Sequence, residues 1–306
     1  MNIPMKKLGR TGAEVSCLGF GGYHLGTIND DTEAIHLCQQ SIDSGITFMD
    51  NAWEYHDGRS EELMGRALEG RRDKVFLMTK VCTHGRDKHE ALRQLEDSLR
   101  RLKTDHLDLW QIHEVVYYND PELHHAADGV LEAMEQAKRD GKIRFTGFTG
   151  HKNPDIHLKM LAYEYPFDTC QMPLNIMDGT FLSFEKKVLP ELIRQGIAAL
   201  GMKTFAGNGK MVRDGIYTPE EGLRYAMSLP VATTITGILT PEDLQQNVRI
   251  AGEFIPMSND EMEALRERVA LAAADGRYEI YKVTAKHDGP VGREQHGFPT
   301  FAEVRL

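Results

Sequence analysis

Short apolar runs rich in β-branched and aromatic residues alternate with longer amphipathic stretches along the whole chain. Apolar residues in the longer stretches recur every three or four positions, as in Leu92, Leu95, Leu99 and Leu102, which predicts helices with one buried face. The short runs predict eight strands, at residues 16–21, 46–50, 75–80, 106–113, 143–149, 169–174, 197–203 and 232–238. The pattern therefore predicts a strand–helix repeat.

Polar and conformationally special residues mark the ends of the predicted helices. Thr32 is expected to cap the first helix, because its hydroxyl can accept from a free backbone N–H. Glycine is typical of helix ends and proline of helix starts, and both occur at such places: Gly45, Gly70, Gly141, Pro219 and Pro241.

The spacing of the strands indicates how they assemble. The second, third and fourth predicted strands end near residues 50, 80 and 113, so each step is about one βαβ unit. Eight such units favour an α/β fold of the closed (β/α)8 TIM-barrel type. The glycine-rich GFGGYHLG after the first strand lacks the GxGxxG spacing of an open dinucleotide-binding sheet.

The two ends of the chain depart from this repeat. Residues 6–16 predict a small β-hairpin that closes the barrel floor. The periodicity stops after residue 275, so residues 1–275 are expected to form one barrel domain. Residues 276–306 are expected to form an irregular C-terminal tail packing on the barrel surface.

Composition narrows the class of function. The formal charge of −10, with no block of basic residues, argues against nucleic acid or an anionic membrane as partner. No apolar run approaches the roughly 18 residues of a membrane span, and no signal region precedes the first strand. Four cysteines lack any paired spacing: Cys17, Cys38, Cys82 and Cys170. The sequence predicts a cytoplasmic protein with reduced thiols that acts on a small molecule.

The histidines also lack a local metal-binding spacing such as HExxH, so the sequence predicts no metal site.

Four titratable residues fall where the predicted strands end: Asp50, Tyr55, Lys80 and His113. In such a barrel the loops after the strands form the functional face. Lys80 could stabilise the phenolate of Tyr55, and Asp50 could keep Lys80 charged and aimed. Each residue alone has a simpler structural explanation, but together on adjacent strand ends they predict a site that protonates a carbonyl oxygen, with His113 orienting the carbonyl or sharing the proton relay.

The segment GITFMDNAWEYHDGRSEELMGRAL resembles the aldo-keto reductase pattern, and VFLMTK and LDLWQIH contain its lysine and histidine. The similarity runs from about residue 5 to 270. It implies an NAD(P)H-dependent oxidoreductase that reduces aldehydes or ketones with Tyr55 as the general acid. The branch has relatives with an iron–sulfur cysteine cluster in the tail, but this tail contains no cysteine, so no cluster is expected.

The resemblance also implies where a nicotinamide cofactor binds. Thr149 stands for the family's serine, Gly150 replaces its asparagine, and Gln171 matches its glutamine against the carboxamide. Met202 takes the position of a stacking aromatic residue. Lys203 and the loop from Gly207 to Gly209 could hold the pyrophosphate, although an ordinary glycine turn is the alternative.

At the adenosine end, four residues fall at plausible contact positions: Gly237, Thr240, Gln245 and Asn247. Asp243 replaces the arginine that some members use against the 2′-phosphate. A carboxylate there could accept from a free 2′-hydroxyl, so NADP(H) is expected first and NAD(H) is the alternative.

The substrate pocket is expected to involve aromatic and polar loop residues, each of which could also be plain loop packing: Trp53, Tyr117, Tyr118 and His151. Two other functions stay open. One is a Schiff-base aldolase using Lys80 as the nucleophile; the other is a regulatory module that binds nicotinamide nucleotide without turnover.

Overall fold

The computed structural model describes residues 2–299, apart from the side chains of residues 286, 291 and 295. Ten strands run in chain order: β1 Met5–Lys7, β2 Glu14–Ser16, β3 Leu18–Gly21, β4 Phe48–Asp50, β5 Phe76–Val81, β6 Leu107–Ile112, β7 Ile143–Thr149, β8 Thr169–Pro173, β9 Ala198–Met202 and β10 Thr233–Thr236.

The helices alternate with these strands. They are α1 Gly22–Leu25, α2 Asp31–Asp43, α3 Arg59–Ala67, α4 Lys88–Leu102, α5 Asp120–His124, α6 Val130–Arg139, α7 Pro154–Leu161, α8 Phe184–Lys187, α9 Leu189–Gln195, α10 Lys210–Arg213, α11 Pro219–Ser228, α12 Pro241–Gly252, α13 Asn259–Ala273, α14 Ile280–Val283 and α15 Pro290–Gln295. Short 3₁₀ turns occur at Tyr55–Gly58, Arg72–Lys74 and Ala285–His287.

Strands β3 to β10 close into a barrel, with β10 returning to β3. All neighbouring pairs are parallel, and Lys80 pairs with Gln111 in the register between β5 and β6. All eight predicted barrel strands and the TIM-barrel fold are confirmed. Parallel strands bring their carboxyl ends to one rim, so the loops that carry the predicted catalytic residues lie together.

The hairpin of β1 and β2 closes the opposite end of the barrel. Its strands pair antiparallel, with Lys6 opposite Val15. Leu8 and Val15 are fully buried and pack with inward-facing barrel residues such as Phe48 and Leu109. The predicted hairpin is therefore confirmed, and apolar contact holds it on the floor.

Most predicted helix boundaries are confirmed, with one correction. Gly45, Gly70 and Gly141 follow helices and have positive φ, at 96°, 70° and 71°. The cap of α2, however, is Asp30 and not Thr32. The Asp30 carboxylate accepts from the backbone N–H groups of the first turn, so the charged acceptor two residues upstream takes the role.

The tail is less irregular and less superficial than the sequence predicts. It contains α14, a 3₁₀ turn and α15. Lys282 is buried and lies 2.7 Å from Asp178 and 2.8 Å from Glu279. The pattern of apolar residues does not predict this contact, because the buried groups here are paired charges and not apolar side chains.

Among residues 2–299, every helix is too short or too polar to cross a lipid bilayer.

Candidate active site at the mouth of the barrel

Three neighbouring strand ends bring the four predicted catalytic residues together. Asp50 ends β4, Lys80 lies near the end of β5, and His113 directly follows β6. Tyr55 begins the 3₁₀ turn after β4. The strands are almost wholly buried, and the polar groups at these strand ends contact one another at the mouth.

The ammonium group of Lys80 has an acceptor for each of its three N–H donors. Its Nζ lies 2.7 Å from Asp50 Oδ1 and donates at 2.6 Å to the carbonyl of Asn51. The third contact is the Tyr55 hydroxyl oxygen, at 3.3 Å. Burial lowers the pKa of Lys80, and the Asp50 carboxylate opposes this shift. Three acceptors favour the charged form.

Tyr55 is oriented to give a proton. Its oxygen accepts from Lys80, so the phenolic hydrogen is left for another acceptor. Burial first, and then the Asp50 charge, raises the pKa of Tyr55 well above its usual range, which keeps the phenol protonated. Its ring packs edge-on against the rings of Tyr23 and His113, with centroids 5.3 and 5.4 Å away.

His113 has a carboxylate partner that the sequence reasoning missed. Its Nδ1 lies 2.8 Å from Oε1 of Glu54, the residue before Tyr55. Burial lowers the pKa of His113, and the Glu54 carboxylate opposes this shift. Burial raises the pKa of Glu54, but His113 outweighs it and holds that pKa below its usual range. The sequence feature that could have indicated this role is the position of Glu54, a carboxylate directly before the predicted general acid Tyr55.

A second missed carboxylate directly follows His113. Glu114 is buried and has a φ of 55°, a left-handed conformation that turns its side chain. Burial, and then the charge of Glu54, raises the pKa of Glu114 well above its usual range. Burial also lowers the pKa of Lys203 to about 8, with Glu114 opposing. The mouth thus contains more titratable groups than the four predicted.

The predicted carboxamide grip lies on the far side of the mouth. Gln171 Nε2 donates to Asp50 Oδ1 at 3.2 Å, while its buried Oε1 has no partner among the described residues. Thr149 Oγ1 lies 4.0 Å from the sulfur of Met202. A Cβ at Gly150 would lie 2.3 Å from the Val115 carbonyl, so the backbone leaves no room for the family's asparagine there.

The loop that is predicted to hold the pyrophosphate contains two glycines in the left-handed region. Gly207 and Gly209 both have positive φ, at 87° and 66°, which favours glycine. Lys203 Nζ lies 5.0 Å from the centroid of the Tyr281 ring in the tail.

On the adenosine side, Thr240 and Asp243 form the capping box of α12. Asp243 Oδ2 accepts from the backbone N–H groups of Leu239 and Thr240, at 3.0 and 3.1 Å. The carboxylate therefore already has a structural role that the sequence reasoning did not assign. Asn247 is buried, and its Oδ1 has no partner within the described part of the chain.

The other two predicted contacts of this side have different surroundings. Gly237 packs against the ring of His24, where an added Cβ would lie 2.5 Å from the imidazole. Gln245 is exposed and lines a groove of about 590 Å³ between α2 and α12.

The side chain of Trp53 contacts α4, while its backbone N–H donates to the carbonyl of Lys80 at 3.1 Å. Its indole Nε1 donates to Asp97 at 3.4 Å. The guanidinium groups of Arg93 and Arg101 lie 5.5 and 5.7 Å from its ring centroid. These contacts do not support the predicted substrate role of Trp53.

The other predicted substrate residues meet the tail or the surface. His151 Nε2 lies 2.9 Å from the carbonyl of His287, and the Tyr117 ring centroid lies 4.1 Å from that of His296. Tyr118 is exposed and accepts from Asn153. His151 and Tyr117 thus belong to the wall that the tail forms.

Comparison with known proteins gives a consistent picture. The profile of the aldo/keto reductase family matches residues 17–220. The chain is 25% identical over 317 residues to the uncharacterized oxidoreductase YqkF of Bacillus subtilis, covering 90% of this chain and 98% of that protein.

Solved structures agree in fold. Aldo-keto reductase AKR11C1 from Bacillus halodurans, in its holo form, has a TM-score of 0.75 at 26% identity and covers 90% of this chain and 99% of its own. An aldo-keto reductase from Klebsiella pneumoniae in complex with NADP and acetate has a TM-score of 0.68 at 24% identity, covering 87% and 95%. The second likeness shows the fold alone. Because the family profile matches well over half of the sequence, the chain belongs to the aldo/keto reductase family.

Proposed function

We propose that the protein is an NADP(H)-dependent reductase of aldehydes or ketones, with Asp50, Tyr55, Lys80 and His113 as its catalytic residues. The observation that carries this proposal is the contact of the Lys80 ammonium with the Tyr55 oxygen, 3.3 Å away. That contact leaves the phenolic hydrogen available beside an ammonium group that pairs with Asp50.

The residues present fit a nicotinamide dinucleotide. The free Oε1 of Gln171 could accept from a carboxamide, and the free Oδ1 of Asn247 could accept from an adenine amino group. The loop at Gly207 and Gly209, with Lys203, suits a pyrophosphate. When bound, the cofactor would supply the hydride for the carbonyl carbon. We propose NADP(H) as this cofactor, and a solved relative of the same fold is in complex with NADP.

Proton delivery is the task of Tyr55. A carbonyl oxygen becomes strongly basic as its carbon is reduced, and an alkoxide is a far stronger base than a phenolate. The raised pKa of Tyr55 therefore does not prevent transfer, and it keeps the proton in place until that moment. Lys80 then stabilises the phenolate that remains. A positioned acid of this kind contributes about 10²–10⁴-fold to rate.

His113 would position the carbonyl opposite Tyr55. The two rings are 5.4 Å apart edge-on, so one substrate oxygen can approach both. Glu54 fixes the orientation of the imidazole through Nδ1 and leaves Nε2 for the substrate.

The ion pair disfavours the aldolase alternative. A Schiff base requires a neutral amine with a free lone pair, but all three Lys80 donors already have acceptors. The regulatory-module alternative predicts nucleotide binding without turnover of any carbonyl compound.

Replacement of Tyr55 by phenylalanine tests the proposal. We expect Tyr55→Phe to bind NADPH like the wild type, by fluorescence titration, and to lose at least about 100-fold in turnover of aldehydes and ketones. Tyr163→Phe removes an exposed hydroxyl and serves as the matched control. Near-normal turnover by Tyr55→Phe would remove this residue from the role, and a wild type that binds NADPH without any turnover would favour the module.

A further inference from the structure

A second group of titratable side chains lies beside the mouth. We call it the histidine cluster: His84 after β5, Asp120 and His124 in α5, and His296 after α15. His84 is 4% exposed, and Asp120 and His124 are fully buried. The proposed reaction uses none of them.

The carboxylate of Asp120 is held with one oxygen toward the imidazoles. Its Oδ2 accepts from the backbone N–H groups of Val116 and Tyr117, at 2.8 and 2.7 Å. Its Oδ1 lies 3.1 Å from His84 Nδ1 and 3.3 Å from His296 Nε2. Donor atoms of His84, Asp120 and His124 all lie within 4.8 Å of one another. The side chains therefore converge on one small volume.

His124 shows that protein contacts alone do not satisfy this cluster. Both of its ring nitrogens are buried, and neither has a hydrogen-bond partner among residues 2–299. A neutral imidazole always carries one donor and one acceptor, and burying both without partners is costly. Within the described residues no protein group engages either nitrogen, so the ring can offer a lone pair to a ligand.

We propose that the histidine cluster binds one divalent transition-metal ion, with zinc as the best fit. Imidazole and carboxylate are common zinc ligands at bond lengths of about 2.0–2.2 Å, and a tetrahedral site then separates its donor atoms by about 3.3 Å. The 3.1 Å between Asp120 Oδ1 and His84 Nδ1 is close to that edge, and a donor atom of His124 lies within 4.8 Å of the other two residues' donors. Backbone N–H donors on the other carboxylate oxygen are the outer contacts expected of a metal-binding aspartate.

The geometry gives the ion a structural role. His84 follows Lys80 by four residues, Asp120 and His124 follow His113, and His296 belongs to the tail. One ion would fasten α5 to the loop that follows β5, and the contact of His296 with Asp120 places the tail beside it. Local spacing does not predict this site, because its donors come from separate segments.

Two neighbouring sets of donors offer alternatives that a test must separate. Cys82 and Glu114 approach His84, and Glu54 and Glu114 approach His113. The second set lies in the proposed active site, where Glu54 and His113 already pair at 2.8 Å. Binding by a thiolate or by His113 would contradict the proposal.

The test is metal binding by the purified full chain, with added Zn²⁺ or Co²⁺ and a chromophoric chelator as competitor. We expect one equivalent to bind to the wild type. Asp120→Asn and His124→Gln each remove a ligand and should weaken binding by more than about 100-fold, beyond the loss typical of an outer contact. His36→Gln removes an exposed imidazole on α2 and should bind like the wild type. The Co²⁺ form should show visible bands of a tetrahedral ion without a thiolate charge-transfer band.

Equal affinity of His124→Gln and wild type would overturn the proposal, as would loss of binding in Cys82→Ser or Glu54→Gln alone. Circular dichroism of each metal-free variant shows whether it folds. If the buried variants do not fold, the wild type decides: failure to bind one equivalent of Zn²⁺ or Co²⁺ overturns the proposal. Binding is measured without substrate or nucleotide, so the result is independent of the proposed reductase activity.

Discussion

Gly289 lies so close to Glu114 that a Cβ added to the glycine would be 1.8 Å from the carboxylate oxygen Oε2. The contact joins the tail to the residue that follows His113. Next to it, Lys152 holds Asp288 at 2.8 Å. The tail is therefore part of the wall of the proposed active site, and small changes in it should affect substrate binding.

Gly289→Ala tests this connection. The added methyl group must displace either Glu114 or the start of α15, so we expect a raised KM for carbonyl substrates and faster proteolysis of the tail. Steady-state kinetics and limited proteolysis measure the two effects.

Gly201→Ala is the control for this substitution, because a Cβ there would meet its neighbours at ordinary contact distances of 3.7 Å or more. Unchanged KM and tail proteolysis in Gly289→Ala would show that the tail is not packed against the mouth.

Asp50→Asn should remove the ion pair that keeps Lys80 charged beside Tyr55. Loss of the carboxylate 2.7 Å away removes the charge that opposes the effect of burial on Lys80, so the pKa of Lys80 should fall further. An ammonium left without its buried partner should lower the free energy of unfolding by about 3–5 kcal/mol. Denaturant titration and steady-state turnover are the measurements.

Asp31→Asn provides the comparison for Asp50. Asp31 pairs with Arg59 and Arg66 on the surface, so its loss should change stability much less. Equal effects of the two substitutions would argue against a special role for the buried pair.

Glu54→Gln should move the pH dependence of activity. Glu54 raises the pKa of His113 against the lowering effect of burial. Without this charge the pKa of His113 falls further, so any acidic limb of kcat/KM that reports His113 should shift to lower pH. Profiles of wild type and variant measure the shift, and Glu62→Gln on α3 is a control for the general loss of one acid.

An unchanged acidic limb in Glu54→Gln would mean that another group controls it. The direction of the shift is part of the prediction, since a shift of the acidic limb to higher pH would contradict the contact between His113 Nδ1 and the Glu54 carboxylate.

Asp243→Asn should alter the choice of cofactor. The amide can still accept from the backbone N–H groups of Leu239 and Thr240, so the cap of α12 should survive. Removing a negative charge near the expected 2′-phosphate should improve the preference for NADPH over NADH by about fivefold. Fluorescence titration with both nucleotides measures the ratio.

Asp260→Asn in the first turn of α13 controls for loss of a helix-start charge. If Asp243→Asn left the ratio of affinities unchanged, the 2′-phosphate would not lie near this helix start.

The sequence predicted the residues at the strand ends because a buried strand is a short apolar run, and a charged residue at the end of such a run marks where the strand ends. Lys80 follows a run of apolar residues, so its position at the rim could be inferred from the pattern alone. Glu54 and Glu114 could not be assigned in this way. Both lie in loops, and the direction of Glu114 depends on its left-handed φ of 55°, which a sequence does not display.

Trp53 shows the same dependence on loop conformation. The sequence offered it as a candidate for the substrate pocket, and that role stays a prediction, while the guanidinium groups of Arg93 and Arg101 in α4 lie 5.5 and 5.7 Å from its ring centroid. The direction of a loop side chain depends on the helix that packs beside it.

The sequence by itself determined the eight strands, their parallel closure and the convergence of Asp50, Tyr55, Lys80 and His113, because repeated βαβ units fix which strand ends share a rim. Tertiary structure alone decided the burial of the tail, the pairing of Glu54 with His113, and the meeting of His84, Asp120, His124 and His296. Those contacts join residues far apart in the chain, and they depend on charge pairing and loop conformation, which leave no periodic trace in the sequence.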